Sequence, residues 1–318
     1  MNQRREKGEV PGERTMKVLV TGGTGFIGSA VASTLAKKGH EVIIYSHTEI
    51  EDAALANIEY VKGDIFDTSC LSKVLKECDG VIHMVGLAGV RIAYEHPEVS
   101  FDLNIRSLQI LLEEMRNNGV SRLVLPSSSA VYGIVDKLPI SEDTMPKPTN
   151  IYGFHKYIVE KLAEAYSLNY GIRVTILRPF NVYGRRESGI LEMLFEKTLR
   201  NEVARLYGQK QKRDFIHVSE VADAVAAVLQ LDHGFEIYNV GSGIGRSIEN
   251  IVNLFRKYFP TLSIEYTDSK DVLYDSVADI TKIRNATGFN PDVTDDRLKQ
   301  VIEELRNEYT VTNRKLRR

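Results

Sequence analysis

Tyr152 and Lys156 stand four residues apart in Tyr152-Gly153-Phe154-His155-Lys156. On a helix that spacing puts both side chains on one face, phenol beside ammonium. A neighbouring cation favours phenolate and draws a tyrosine pKa down from about 10. A phenolate so placed can take a proton from a hydroxyl while its carbon loses hydride. Upstream, an apolar run ends in three successive serines, Ser127, Ser128 and Ser129. A serine hydroxyl there can hydrogen-bond the reacting oxygen as its charge develops.

A departing hydride needs an acceptor. Residues 17–20 lead directly into Thr21-Gly22-Gly23-Thr24-Gly25-Phe26-Ile27-Gly28. Gly23, Gly25 and Gly28 fit G-x-G-x-x-G, and Gly22, Gly25 and Gly28 fit G-x-x-G-x-x-G. Either register permits a tight turn that brings backbone N–H groups and a helix N-terminus against a pyrophosphate. The expected cofactor-binding residues here are Gly22, Gly25, Phe26, Ile27 and Gly28, joined by Tyr152 and Lys156. An acid after the second strand would hold the adenosine ribose 2′-hydroxyl of NAD and repel a 2′-phosphate. This chain has Ser46 and His47 there instead, so NAD and NADP both stay open. Asp64, followed by Ile65 after the third strand, is placed to meet the adenine.

The elements that must position these groups are legible as alternation. Strands are predicted at 17–20, 41–45, 58–61, 80–83, 122–125 and 173–177. Helices are predicted between them at 29–38, 69–77, 100–117 and 152–168. Repeated β-α-β units imply a Rossmann-like, doubly wound parallel sheet with right-handed crossovers. After Pro179 the alternation stops. Helices at 189–201, 218–231, 247–258 and 295–309, with strands at 204–207 and 262–266, then predict a smaller C-terminal α/β substrate domain. The expected division is 16–180 with 214–240 returning to it, and 181–213 with 241–312 as the substrate part. Residues 1–15 and 313–318 are expected to be flexible tails.

Bulk properties narrow the partners. The chain has 318 residues, and its net charge of −2 gives no basic field for a nucleic-acid polymer. No apolar run approaches the roughly 20 residues of a membrane span. Two cysteines, Cys70 and Cys78, form no disulfide framework and no metal-ligand spacing, which fits a cytoplasmic protein without a metal.

The ordered set TGGTGFIG, SSSAVYG, YGFHK, RPFNVYG, QKRDFIHV and YNVGSG resembles the NAD-dependent epimerase/dehydratase family over about residues 16–292. These are extended short-chain dehydrogenase/reductases, and the likeness is to those acting as UDP-hexose 4-epimerases. The resemblance implies a catalytic set of Ser128, Tyr152 and Lys156, with Ser129 as the next candidate hydroxyl at the substrate. It assigns Asn181 and Arg213 to the diphosphate of a nucleotide-sugar substrate. It places His83 near the cofactor and Asn104 in the long helix; His83 reads equally as a satisfied core histidine. It also implies a homodimer formed through the helices at 100–117 and 152–168.

Three positions depart from the family pattern. Dehydratases and decarboxylases of the family carry an acid after the catalytic hydroxyl residue, where this chain has Ser129 and Ala130. Asp268 stands where the family often has a second phosphate-gripping Arg, with Lys270 nearby. Arg185 and Arg186 replace a common Pro. Without the acid, elimination is disfavoured. The expectation is a nucleotide-sugar 4-epimerase with bound NAD, with an NADPH-dependent keto-sugar reductase as the alternative and a non-catalytic NAD(P) sensor as a third reading.

Overall fold

The computed structural model describes residues 14–49, 55, 58–185, 189–267 and 274–316, with side chains through 307. Arg186, the 268–272 stretch and residues 1–13 and 317–318 of the expected tails lie outside the described residues, while 313–316 belong to the last helix.

Seven strands form a parallel sheet: β1 (Lys17–Thr21), β2 (Glu41–Ser46), β3 (Glu59–Lys62), β4 (Gly80–His83), β5 (Arg122–Pro126), β6 (Arg173–Pro179) and β10 (Phe235–Val240). Their order is β10-β6-β5-β4-β1-β2-β3. Both faces of the central strands are apolar. Val18, Val20, Ile44 and Ile82 join one core layer, whereas Leu19, Ile43, Tyr45 and Val81 join the other. Such two-sided burial is what a parallel sheet covered by helices requires. Helices α1 (Phe26–Lys37) and α8 (Val218–Leu229) cover the first face. Helices α2 (Thr68–Leu75), α5 (Ser107–Asn117) and α6 (Ile151–Tyr170) cover the second.

The chain runs from β1 to β2 on one side and returns to β4 on the other side of β1. The loops leaving β1 and β4 therefore diverge and open a crevice at the strands' carboxyl ends, where such sheets bind ligands.

The helix expected at 100–117 begins earlier and is interrupted. Short helices α3 (Val90–Glu95) and α4 (Pro97–Phe101) precede a π turn over Asp102–Arg106, which continues into α5. Asn104 Nδ2 donates to Ser100 O at 2.9 Å and to Leu87 O at 3.2 Å, and Ser107 Oγ donates to Leu103 O at 2.6 Å. Side chains that capture helix carbonyls open the regular ladder and accommodate the extra residue.

A second layer holds the three-stranded sheet β11-β9-β7, from β7 (Asn181–Tyr183), β9 (Lys212–His217) and β11 (Gly245–Ser247). Strands β8 (Val203–Tyr207) and β12 (Ser263–Thr267) pair in parallel. Helices α7 (Ile190–Leu199), α9 (Ile248–Arg256) and α11 (Asp296–Leu316) supply a third apolar cluster around Leu194, Phe255 and Ile302, and α10 (Thr281–Thr287) packs near β10. Strand β9 pairs in the small sheet, and α8, which follows it, packs on the large one.

Candidate active site

Helix α6 begins one residue before Tyr152. Asn150 caps it, its side-chain oxygen accepting from Gly153 N at 2.9 Å. Tyr152 thus sits in the first turn, at the positive end of the helix macrodipole, with Lys156 one turn further in. Strand β5 ends at Pro126, and Ser128 caps a single 3-10 turn over Ser129–Val131 by accepting from Ala130 N at 3.2 Å. Burial pushes the Tyr152 phenol pKa up, and the nearby Ser128 hydroxyl offsets part of that rise. Lys156 Nζ donates to Pro126 O at 3.2 Å, and burial lowers its pKa to about 8.

Ser128, Tyr152 and Lys156 share the wall of a cavity of about 490 Å³ with Gly22, Gly25, Phe26, Ile27 and Gly28. Ser127 also lines it, and its buried Oγ has no hydrogen-bond partner among the described residues. Ser129 does not line it. No aspartate or glutamate lies on this wall among the described residues.

A second cavity of about 390 Å³ shares Gly22, Gly25, Met84, Val85 and Gly86 with the first. It is lined further by Ser46, His47, Asp64 and Ile65. The glycine loop therefore bridges two chambers, the form a dinucleotide needs. Gly22 has φ +67°, and a Cβ there would lie 2.8 Å from the Met84 carbonyl carbon. A Cβ on Gly28 would meet Gly22 O at 2.3 Å. Backbone therefore excludes a side chain at Gly22 and Gly28, whereas Gly23 packs towards the Ile44 side chain and lines neither chamber. Gly86 was not legible beforehand; its close approach to Asn104 Oδ1, where a Cβ would stand at 2.8 Å, reflects the π turn, which no local pattern announces.

His83 is a satisfied core histidine. It is 1% exposed, its Nδ1 is 2.8 Å from Thr21 Oγ1, and burial, aided by Lys156, lowers its pKa to about 3. Asn181 and Arg213 lie together on the neighbouring small sheet, outside the cavity wall. Asn181 Nδ2 donates to Asp214 O at 3.0 Å. The Arg213 guanidinium lies 4.7 Å over the Tyr274 ring and donates to Tyr274 O. Between them stands a residue the sequence reading did not select. Asp214 is fully buried and accepts from Ser242 N at 2.7 Å, Ser242 Oγ at 2.6 Å, Gly243 N at 2.9 Å and Ala278 N at 3.1 Å.

Residues 18–241 match the model of the NAD-dependent epimerase/dehydratase family. The chain belongs to that family. A putative UDP-glucose 4-epimerase of Methanocaldococcus jannaschii is 31% identical over 303 residues, covering 91% of this chain and 98% of the relative. The crystal structure of Thermotoga maritima UDP-glucose 4-epimerase with UDP-glucose superposes at a TM-score of 0.83 with 28% identity, covering 92% of this chain and 99% of that one. A UDP-glucuronic acid 4-epimerase of Bacillus cereus, in complex with UDP-glucuronic acid and NAD, superposes at 0.83 with 27% identity, covering 93% and 100%. The two chambers meet at the glycine loop, and the tyrosine–lysine pair lines one of them. Among the described residues no helix is long and apolar enough to cross a membrane, and no metal-binding cluster of acids, histidines or cysteines occurs.

Proposed function

We propose that the protein is a nucleotide-sugar 4-epimerase that keeps NAD bound and passes its substrate through a transient 4-keto sugar. The observation that carries this reading is the convergence of Ser128, Tyr152 and Lys156 on the cavity that continues into the glycine loop. Its relatives act on UDP-sugars, and a neighbour at 0.83 holds NAD.

The residues present suit the dinucleotide. A Cβ at Gly22 or Gly28 would strike the Met84 or Gly22 backbone, so the tight turn between the chambers needs glycine at both positions. Bound there, NAD supplies an acceptor that takes a hydride and gives it back. Tyr152 takes the proton of the sugar hydroxyl and later returns it. Ser128 bonds the phenol and the reacting oxygen, and Lys156 favours the phenolate through its charge. Among the described residues the wall carries no carboxylic acid to protonate a departing hydroxide, which supports epimerisation over elimination.

Asn181 and Arg213 are proposed to meet the diphosphate as the small-sheet unit closes over the cleft; Arg213 suits a bidentate grip. The large-sheet unit, 16–180 with α8 and β10, holds the dinucleotide, and the remaining segments hold the substrate. Exposed Phe101 and Tyr94, with Ile151, Phe154 and Ile158 on one stripe of α6, supply a face for a homodimer. Both cysteines are free thiols, in keeping with a cytoplasmic setting.

The test is incubation with UDP-, dTDP- and GDP-sugars without added reductant, followed by separation of C4 epimers. Interconversion with no net change in reduced cofactor is expected. Its absence across the panel, with NADPH oxidised when a 4-keto sugar is supplied, would replace the epimerase with a reductase.

A further inference from the structure

The end of β2 carries a hydroxyl cluster where a carboxylate would select against a phosphate. Thr24 Oγ1 lies 2.8 Å from Ser46 Oγ and 2.6 Å from Thr48 Oγ1, and the last two hydroxyls are 3.1 Å apart. All three residues line the chamber opposite the catalytic one, together with the His47 imidazole. The three hydroxyls satisfy one another. Each has one rotatable O–H, so the same three donors can turn towards a single anionic group.

The charges around the cluster permit this. Among the described residues lining the chamber the one carboxylate is Asp64, which belongs to the loop beyond β3 and accepts from Phe66 N at 3.0 Å. Glu49, next along the chain from Thr48, does not line the chamber, and Lys62 Nζ holds it at 3.1 Å. A ribose 2′-phosphate placed at the end of β2 meets three hydroxyl donors and an imidazole.

We infer that the Thr24–Ser46–Thr48 cluster is a 2′-phosphate subsite, so that the protein binds NADP as well as NAD. The inference rests on the dinucleotide reading above and deepens it. The proposed reaction does not oppose it. A hydride returned to the sugar that gave it leaves no net oxidation, so the different redox poise of the two dinucleotides imposes no choice between them.

The test is calorimetric titration of the purified protein, freed of bound nucleotide, with NAD⁺ and separately with NADP⁺. The expected result is dissociation constants within about tenfold of each other. Ser46→Asp should weaken NADP⁺ at least about a hundredfold through charge repulsion, and leave NAD⁺ unchanged or tighter. Thr48→Glu, at an exposed position, should act in the same direction and serves if Ser46→Asp does not fold. Binding of NAD⁺ with NADP⁺ weaker by much more than tenfold in the unaltered protein would overturn the subsite alone. Equal loss of both dinucleotides in a folded variant would overturn the assignment to these hydroxyls. Binding of neither by the unaltered protein would instead sink the dinucleotide reading.

Discussion

Glu160 and Arg178 form a bidentate ion pair inside the protein, Nε to Oε1 at 2.8 Å and Nη2 to Oε2 at 2.6 Å, each side chain 2% exposed. The pair joins α6, one turn beyond Lys156, to β6. Arg178 Nη1 also donates to Tyr132 Oη at 2.9 Å, and that hydroxyl donates to Asn239 Oδ1 at 2.7 Å on β10. The network therefore fixes the helix that carries Tyr152 and Lys156 against the strands and against the turn that follows Ser128. Arg178→Met leaves a buried carboxylate uncompensated and should cost about 3–5 kcal/mol. Glu160→Leu added to it should restore most of that loss. Urea unfolding of the single and double variants checks both statements.

Tyr152→Phe keeps the ring and removes the proton carrier. Turnover should fall by roughly 10²–10⁴-fold. Dinucleotide affinity should change little, because the glycine loop and the far chamber are untouched. Turnover near that of the unaltered enzyme would assign the proton transfer elsewhere.

Lys156 gives a signed dependence on pH. Burial lowers its pKa from 10.5 to about 8, so the folded state binds fewer protons than the unfolded state between those values. Stability from this group rises with pH through that window, and the full penalty applies below it. That penalty is about 3 kcal/mol at 1.36 kcal/mol per pH unit. Lys156→Met should therefore stabilise the nucleotide-free protein near pH 7 by about 2 kcal/mol, after loss of the bond to Pro126 O. The gain should shrink as pH rises from 8 towards 10.5, and turnover should be lost. Thermal melts of both proteins across pH 6–10 would show the crossing, and a destabilised variant at pH 7 would contradict it.

The apolar stripe Ile151, Phe154 and Ile158 on α6 lies beside exposed Phe101 and Tyr94, the latter 80% exposed. Phe154→Asp puts a charge at its centre and should convert a dimer to a monomer in sedimentation velocity while the far-ultraviolet circular dichroism is kept. An unaltered protein that sediments as a monomer at micromolar concentration would remove the proposed interface.

The parts legible in the sequence were those governed by local chemistry. The glycine turn, the Tyr152–Lys156 pair and the strands β1, β2, β4, β5 and β6 announce themselves by spacing and by apolar runs. Every expected dinucleotide residue, from Gly22 to Ile65 and on to Lys156, lines one of the two chambers. What stayed hidden depends on partners distant in the chain. β10 carries Glu236 and Asn239 and becomes a strand only because β6 lies beside it. β7 has three residues, too few for any alternation, and β9 carries Lys212, Arg213 and Asp214 in succession. What sets Gly22 apart from Gly23 is the Met84 backbone, which lies outside the local motif.

Asp214 was hidden for the same reason, since its meaning lies 28 and 64 residues away in Ser242 and Ala278. Three backbone N–H groups and one hydroxyl converge on its carboxylate. Burial raises its pKa and the four donors oppose that rise, so the anion is tolerated by their convergence. Asp214→Asn keeps the shape but turns an amide N–H₂ towards donors, which leaves buried groups unpaired. The cost should be about 3 kcal/mol or more. Because the carboxylate ties β9 to the turn after β10, and Asn181 leans on the Asp214 carbonyl, the damage should fall on the substrate side. In a variant that remains folded, nucleotide-sugar affinity should drop sharply while dinucleotide affinity holds. Calorimetry with each ligand separates the two, and equal loss of both would mean that Asp214 supports the whole fold and not the small sheet in particular.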